Sequence, residues 1–318
     1  MEMRQLGRSA LRVAPLVFGG NVFGWTIDRE TSFSLLDAFV DAGLNFIDTA
    51  DMYSEWKPGN QGGESETIIG EWLRRSGRRN QVVIATKVGH MKTFNGLSAA
   101  NIARAVENSL RRLGTDRIDV YFAHRDDSDV PLEETLTAFA RLVELGKVTV
   151  IGASNYTAPR LQEALQVSKR LGLPRYEVLQ PHYNLAERAD YEGSSEPVAL
   201  AEGLGVVPYY SLASGFLTGK YRSDADLEKS VRGGSAKRYL TPGGLRILKA
   251  LDEVSEAHGS TPAVVALAWL IARPSITAPI ASATSLAQLS EIAQATALKL
   301  LPDEIGKLDR ASAEGAAA

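Results

Sequence analysis

The sequence contains no cysteine, which excludes disulfides, thiolate zinc sites and cysteine nucleophiles. Long apolar runs are missing too: the longest obvious one, Val264 to Ala272, is far shorter than the ~20 residues a membrane span needs. Glu2, Arg4, Arg8 and Arg12 come early, and no signal-peptide layout follows them. Neither sign of charge dominates. Lys and Arg number 35 against 38 Asp and Glu, a formal charge of -3 with the signs interspersed, unlike the basic stripe of a dedicated nucleic-acid binder. No low-complexity linker divides the chain, and the one biased tail is Ala316–Ala318. The four histidines, His90, His124, His182 and His258, lack HExxH-like spacing. These absences predict a soluble, cytoplasmic protein without metal, membrane or nucleic-acid partner.

What is present is an alternation. At 318 residues, one large α/β domain spanning the whole chain is as ordinary as two small ones. Eight short, mostly apolar and often β-branched runs recur: APLVFGG at 14–20, LNFIDTA at 44–50, VVIATK at 82–87 and IDVYFAH at 118–124, then VTVIGAS at 148–154, EVLQPH at 177–182, GVVPYY at 205–210 and ITAPIAS at 276–282. Near-continuous apolar character is expected of parallel strands buried on both faces. Helical patterns lie between them. Ser98 opens one that Gly114 ends as a C-cap glycine would, and Pro131 sits in the first turn of another that stops at Gly146. Arg74, Arg75, Arg78 and Arg79 end the second helix and read as solvated cations opposing the negative dipole end. Eight such units predict a (β/α)8 TIM barrel over residues 1–318. After strand seven, a Gly/Ser- and charge-rich loop at 211–241 precedes two extra helices, near 243–258 and 262–273.

Chemistry in such barrels lies at the C-terminal strand ends. Asp48 ends strand two with Tyr53 just beyond, Lys87 ends strand three, and His124 ends strand four. Ser154 and Asn155 end strand five, Gln180 strand six, and Tyr209 and Tyr210 strand seven. Singly, each has a dull alternative: a turn cap, a surface lysine, a satisfied core histidine. Together they would be costly, because buried polar groups must find partners. Asp48 and Lys87 are natural partners. A tyrosine hydroxyl near pKa ~10 is a poor proton donor at neutrality, and a lysine ammonium beside Tyr53 would lower that value. His124 could hydrogen-bond an oxygen that gains charge as a carbonyl is reduced, and Tyr53 could donate the proton.

On these residues the sequence resembles the aldo-keto reductase family, over nearly the whole chain. The carrying motifs are NFIDTADMYS at 45–54, ATKVG at 85–89, SLRRLGTDRIDVYFAH at 109–124, IGASNY at 151–156, LQPHYN at 179–184 and GFLTGKY at 215–221. The resemblance implies a catalytic tetrad on Asp48, Tyr53, Lys87 and His124, and a nicotinamide cofactor held without a Rossmann domain. No GxGxxG opens a helix after the first strand. Carried over by position, Ser154, Asn155 and Gln180 would bond the carboxamide, and Tyr209 would stack on the ring. Leu212, Ser214, Lys220 and Arg232 would line the pyrophosphate, while Gly20 and Asn21 approach the cofactor at the end of strand one. Relatives usually read Tyr-Ser-Pro-Leu after strand seven; here Tyr209, Tyr210, Ser211 and Leu212 follow.

The adenosine side would meet Ser282, Thr284, Gln288 and Glu291, with Ile292 where asparagine is common. No Lys or Arg stands there, so the implied NADP(H) preference over NAD is weakened. Phe23, Trp25 and Trp56 fall on the first two rim loops, as substrate contacts or as loop packing. Arg125 could bind an anionic substrate group or pair with Asp126 or Asp127. The expected activity is NADPH-dependent reduction of aldehydes or ketones. Alternatives are an NAD(P)-dependent sugar or alcohol dehydrogenase and a cofactor-binding regulatory subunit akin to potassium-channel β subunits, the latter disfavoured for want of a partner-docking tail. A Schiff-base aldolase using Lys87 would need a depressed lysine pKa, which Asp48 should oppose.

Overall fold

A computed structural model of the chain describes residues 1–313; the alanine tail at 316–318 lies outside them. Eight parallel strands form one sheet that curls around a core: Val17–Gly19, Phe46–Asp48, Val83–Val88, Ile118–Ala123, Val148–Ser154, Tyr176–Gln180, Gly205–Val206 and Ile280–Ala281. Neighbours pair in sequence order, and strand eight returns to strand one. Strands seven and eight meet through backbone bonds. The amides of Thr277 and Ala278 donate to Val206 O, and that of Ile280 to Pro208 O. This is the α/β TIM-barrel architecture, and each expected run contributes one strand.

Side chains alternate across a strand, so every strand serves two cores. The inner set includes Val17, Phe46, Val83, Ala85, Val120, Phe122, Val178 and Ile280, joined by Leu6 and Val13 from an N-terminal hairpin. The alternate residues, among them Ile47, Ile84, Tyr121 and Ile151, pack outward against the helices. Gly152 makes room inside the barrel. A Cβ there would stand 2.4 Å from the Phe122 ring, so a larger residue would displace an aromatic from the interior.

The expected helix boundaries hold. Ala99–Leu113 starts after Ser98, whose hydroxyl accepts from Asn101 N, and ends at Gly114 in the left-handed region. Pro131 sits one residue earlier than expected, at the cap of Leu132–Glu144. The apolar run from Val264 falls in Pro262–Ala272, a helix buried on all sides against Pro242–Ala257 and Leu286–Ala293. The basic cluster divides: Arg75 and Arg78 pair with Asp37 and Asp41 near the surface, but Arg79 is drawn inward to Asp119 at 2.9 Å. Arg79 is therefore a structural cation rather than a solvated one. No helix among the described residues is long and apolar enough to cross a membrane.

The 211–241 segment differs from the loose loop its composition predicts. It folds into short helical turns at Ala213–Thr218, Asp224–Lys229, Gly233–Ala236 and Lys237–Tyr239. Phe216, Leu217, Tyr221, Ala236 and Tyr239 are fully buried, and this apolar anchoring offsets the entropy of ordering so polar a stretch. Gly233 is required for it, since a Cβ there would lie 1.7 Å from Leu227 O.

Candidate active site

The period-two register explains why the polar residues converge. Phe46 faces the barrel interior, and two residues on comes Asp48; Val83 and Ala85 lead to Lys87, Val120 and Phe122 to His124, and Val178 to Gln180. The inward rows thus run apolar until the rim and end in polar or charged groups. They open into a cleft of about 1320 Å³ that holds Asp48, Tyr53, His124, Ser154, Asn155, Gln180 and Tyr209 on its wall.

Lys87 and Asp48 are buried, with Nζ 2.7 Å from Asp48 Oδ2. The same ammonium donates to Thr49 O at 2.7 Å and to the Tyr53 hydroxyl at 2.9 Å, which uses all three of its N–H groups. Tyr53 donates to Asp48 Oδ2 at 3.1 Å, and Gln180 Nε2 donates to Asp48 Oδ1 at 2.9 Å. Removing one member of such a buried pair costs roughly 3–5 kcal/mol.

The electrostatics correct one expectation. Burial raises the Tyr53 pKa well above the ordinary phenol value, and Asp48 adds to the rise. The neighbouring Lys87 does not bring it down in this arrangement. Burial also lowers the Lys87 pKa, outweighing the opposing pull of Asp48. His124 is held well below the usual imidazole range by burial and then by the positive charge of Lys87. Its Nδ1 is shielded and has no partner. Burial therefore favours a protonated phenol and a neutral imidazole beside the Lys87–Asp48 contact.

The carboxamide-binding candidates are presently bonded to one another. Ser154 Oγ donates to Gln180 O, Asn155 Nδ2 to His124 O, and the Tyr209 hydroxyl to Asn155 Oδ1. Tyr209 stacks on His182 with ring centroids 5.3 Å apart. Asn155 after strand five, and Tyr210, Ala213 and Ser214 after strand seven, take left-handed backbone conformations, so the turn after strand seven is held in a shape that non-glycine residues adopt at a cost of ~1–2 kcal/mol each.

Leu212, Ser214, Lys220, Arg232, Asn21, Ser282, Thr284, Gln288 and Glu291 also line the cleft. Arg232 stands 5.4 Å over the Trp25 ring. The Asn21 amide, oriented so that its nitrogen donates to Ser282 Oγ, accepts from Arg232 Nη2 at 3.3 Å. Glu291 is tied to Thr261 by a 2.6 Å bond, and Gln288 Oε1 accepts from Thr284. Among the described residues, neither Lys220 nor Arg232 forms an ion pair. Unpaired cations along a long cleft fit a pyrophosphate group, which needs compensating positive charge.

Two candidates do not reach the cleft wall. Phe23 is fully buried, stacked on Phe18 at 5.3 Å, so its ring packs the first rim loop. Gly20 is buried against Asp48 O and Ser65 Oγ, leaving Gly19 as the lining residue. Trp25 and Trp56 do line the cleft, edge to face at 5.4 Å, and Trp56 lies 6.0 Å from Tyr53. His90 was not singled out from sequence as a site residue. It lines the cleft 5.3 Å from the His124 ring, on a hairpin after strand three that no periodicity announces.

A TIM barrel whose rim gathers tyrosine, lysine, aspartate and histidine around one cleft defines a class, and comparison with known proteins agrees. The Aldo/keto reductase family profile matches residues 15–313, and the chain belongs to this family of oxidoreductases. It is 34% identical to a probable voltage-gated potassium channel subunit beta of Oryza sativa subsp. japonica, over 97% of this chain and 96% of that protein. It is 30% identical to the L-glyceraldehyde 3-phosphate reductase of Escherichia coli K12, covering 99% and 93%. Likeness to the aryl-alcohol dehydrogenase [NADP(+)] of Phanerodontia chrysosporium is 31%, covering 93% and 81%.

Proposed function

We propose that this protein is an NADPH-dependent carbonyl reductase in which Tyr53 is the general acid. The observation that carries the reading is the Lys87 ammonium, whose three N–H groups hold Asp48, Thr49 O and the Tyr53 oxygen at once. The dinucleotide, when bound, supplies the hydride. Neutral His124 has an N–H to offer the substrate oxygen as that oxygen gains charge. Tyr53 turns its proton from Asp48 toward the same oxygen and gives it up. Lys87, already 2.9 Å from the phenolic oxygen, stabilises the phenolate left behind, and Asp48 opposes the loss of the Lys87 proton. Burial of the tetrad strengthens each of these interactions by lowering the local dielectric.

The cofactor reading rests on chemistry of the cleft. Lys220 and Arg232 offer charge to the pyrophosphate, and Ser282, Thr284 and the start of the helix at Leu286 offer hydroxyl and amide donors to a 2′-phosphate. A panel assay of reduced-cofactor oxidation against aldehydes, ketones and sugars tests the proposal. Turnover of aldehydes with NADPH favoured over NADH is expected. Equal or better efficiency with NADH overturns the cofactor assignment. Tight cofactor binding without turnover of any carbonyl favours the regulatory-subunit reading.

A further inference from the structure

Three acids and bases follow one another after strand four, and the structure sorts them. Asp126 is held by Arg160, with both carboxylate oxygens 3.0 Å from Nε. Asp127 accepts from the backbone amides of Leu97 at 2.7 Å and Asp129 at 3.1 Å. Neither pairs with Arg125. The Arg125 guanidinium instead donates Nη2 to Asn95 Oδ1 at 2.9 Å, a neutral acceptor on the hairpin that also carries His90. Asn101 fixes that hairpin by donating to Phe94 O and Gly96 O. Among the described residues Arg125 forms no ion pair. Glu55, the nearby acid that acts on His90, accepts from the Lys92 amide.

Arg125 is exposed, lines the cleft and follows His124 directly in the chain. Its charge reaches the chemistry un-neutralised, and it contributes to the lowered pKa of both His90 and His124. Tyr53 lies between two different surroundings. Trp56, packed edge to face with Trp25, lies 6.0 Å from the Tyr53 ring and forms an apolar wall, and the His124 ring stands 6.2 Å away. A compound whose carbonyl meets Tyr53 and His124 can rest its apolar body on the tryptophans while an oxyanion reaches Arg125.

We infer that Arg125 is a specificity residue that selects carbonyl substrates bearing a carboxylate or phosphate group. This rests on the carbonyl-reductase reading, and the test separates the two. 4-Carboxybenzaldehyde, ionised at neutral pH, and 4-formylbenzamide are similar in shape and size but differ in charge. The wild type at low ionic strength should favour the carboxylate in kcat/KM by about 5-fold, the scale of one solvent-facing charge pair, chiefly through KM. The ratio should fall to near one in Arg125→Met, be partly kept in Arg125→Lys, and invert in Arg125→Glu. A wild-type ratio near one, or a ratio that Arg125→Met leaves in place, overturns the inference.

Binding gives a readout that needs no turnover. Of the four tryptophans, Trp72 and Trp269 are fully buried, whereas Trp25 and Trp56 face the cleft. Fluorescence quenching by benzoate or phenyl phosphate beyond that by benzamide, lost in Arg125→Met, supports the anion site even if no aldehyde is reduced. The tighter of the two identifies carboxylate or phosphate as the preferred group. Equal quenching by all three overturns the site.

Discussion

Between strands two and four, the Lys87–Asp48 pair of the rim is satisfied from within. Lys87 has a partner for each N–H, Asp48 accepts from Lys87, Tyr53 and Gln180, and both charged side chains are shut away from water. On the strand-seven and strand-eight side, the cations lie against neutral groups: Lys220 over the Tyr221 ring, and half-buried Arg232 over Trp25 beside Asn21. Among the described residues neither Lys220 nor Arg232 has a carboxylate partner, and the turn that carries Ser214 is held in left-handed conformations. The first region resembles a finished core that happens to carry charge. The second resembles half of a salt bridge. Chemistry needs groups fixed before the substrate arrives, whereas binding an anion is strongest where the protein has not already neutralised its own cations.

The sharpest way to test this division is Tyr53→Phe. It removes one hydroxyl from the finished region, so turnover should fall at least ~10²-fold, as for a missing general acid. Cofactor affinity, measured by fluorescence titration, should hold. A variant retaining most of its activity would show that the hydroxyl is a structural member of the network only.

Arg232→Gln attacks the other region. Cofactor binding should be about 10-fold weaker, the scale of one charge-assisted hydrogen bond to phosphate, and less sensitive to salt than in the wild type. If affinity is unchanged, the Arg232–Trp25 contact serves only to hold the segment in place. The smallest effect is expected at Thr284, exposed at the start of the strand-eight turn. Thr284→Arg supplies the cation missing near the 2′ position and should widen the NADPH-over-NADH ratio several-fold while making it salt-sensitive. No change in that ratio would place the 2′-phosphate elsewhere.

Asp48, Lys87, His124 and Gln180 were legible because strand alternation and a rim position are properties of spacing. Each lies two residues beyond an inward-facing apolar residue, and spacing survives into any fold that keeps the strands parallel. Phe23, open in the sequence between substrate contact and loop packing, could not be resolved by spacing. Aromatic content on a rim loop says nothing about which way the ring turns, and here Phe18 offered it a stacking partner. Arg79 looked like one of four solvated arginines until Asp119, forty positions along the chain, proved to be beneath it.

The chain by itself determined the barrel, its helix caps and the rim positions of Asp48, Lys87 and His124, since these follow from local periodicity and from residue type at strand ends. Tertiary structure alone decided which charges remain free. Asp126 and Asp127 stand beside Arg125 in sequence yet bond to Arg160 and to the amides of Leu97 and Asp129. It also decided that burial and Asp48 would raise the Tyr53 pKa despite the lysine beside it. Pairing and desolvation depend on distance through space, and neighbours in space are set by the closed barrel rather than by position along the chain.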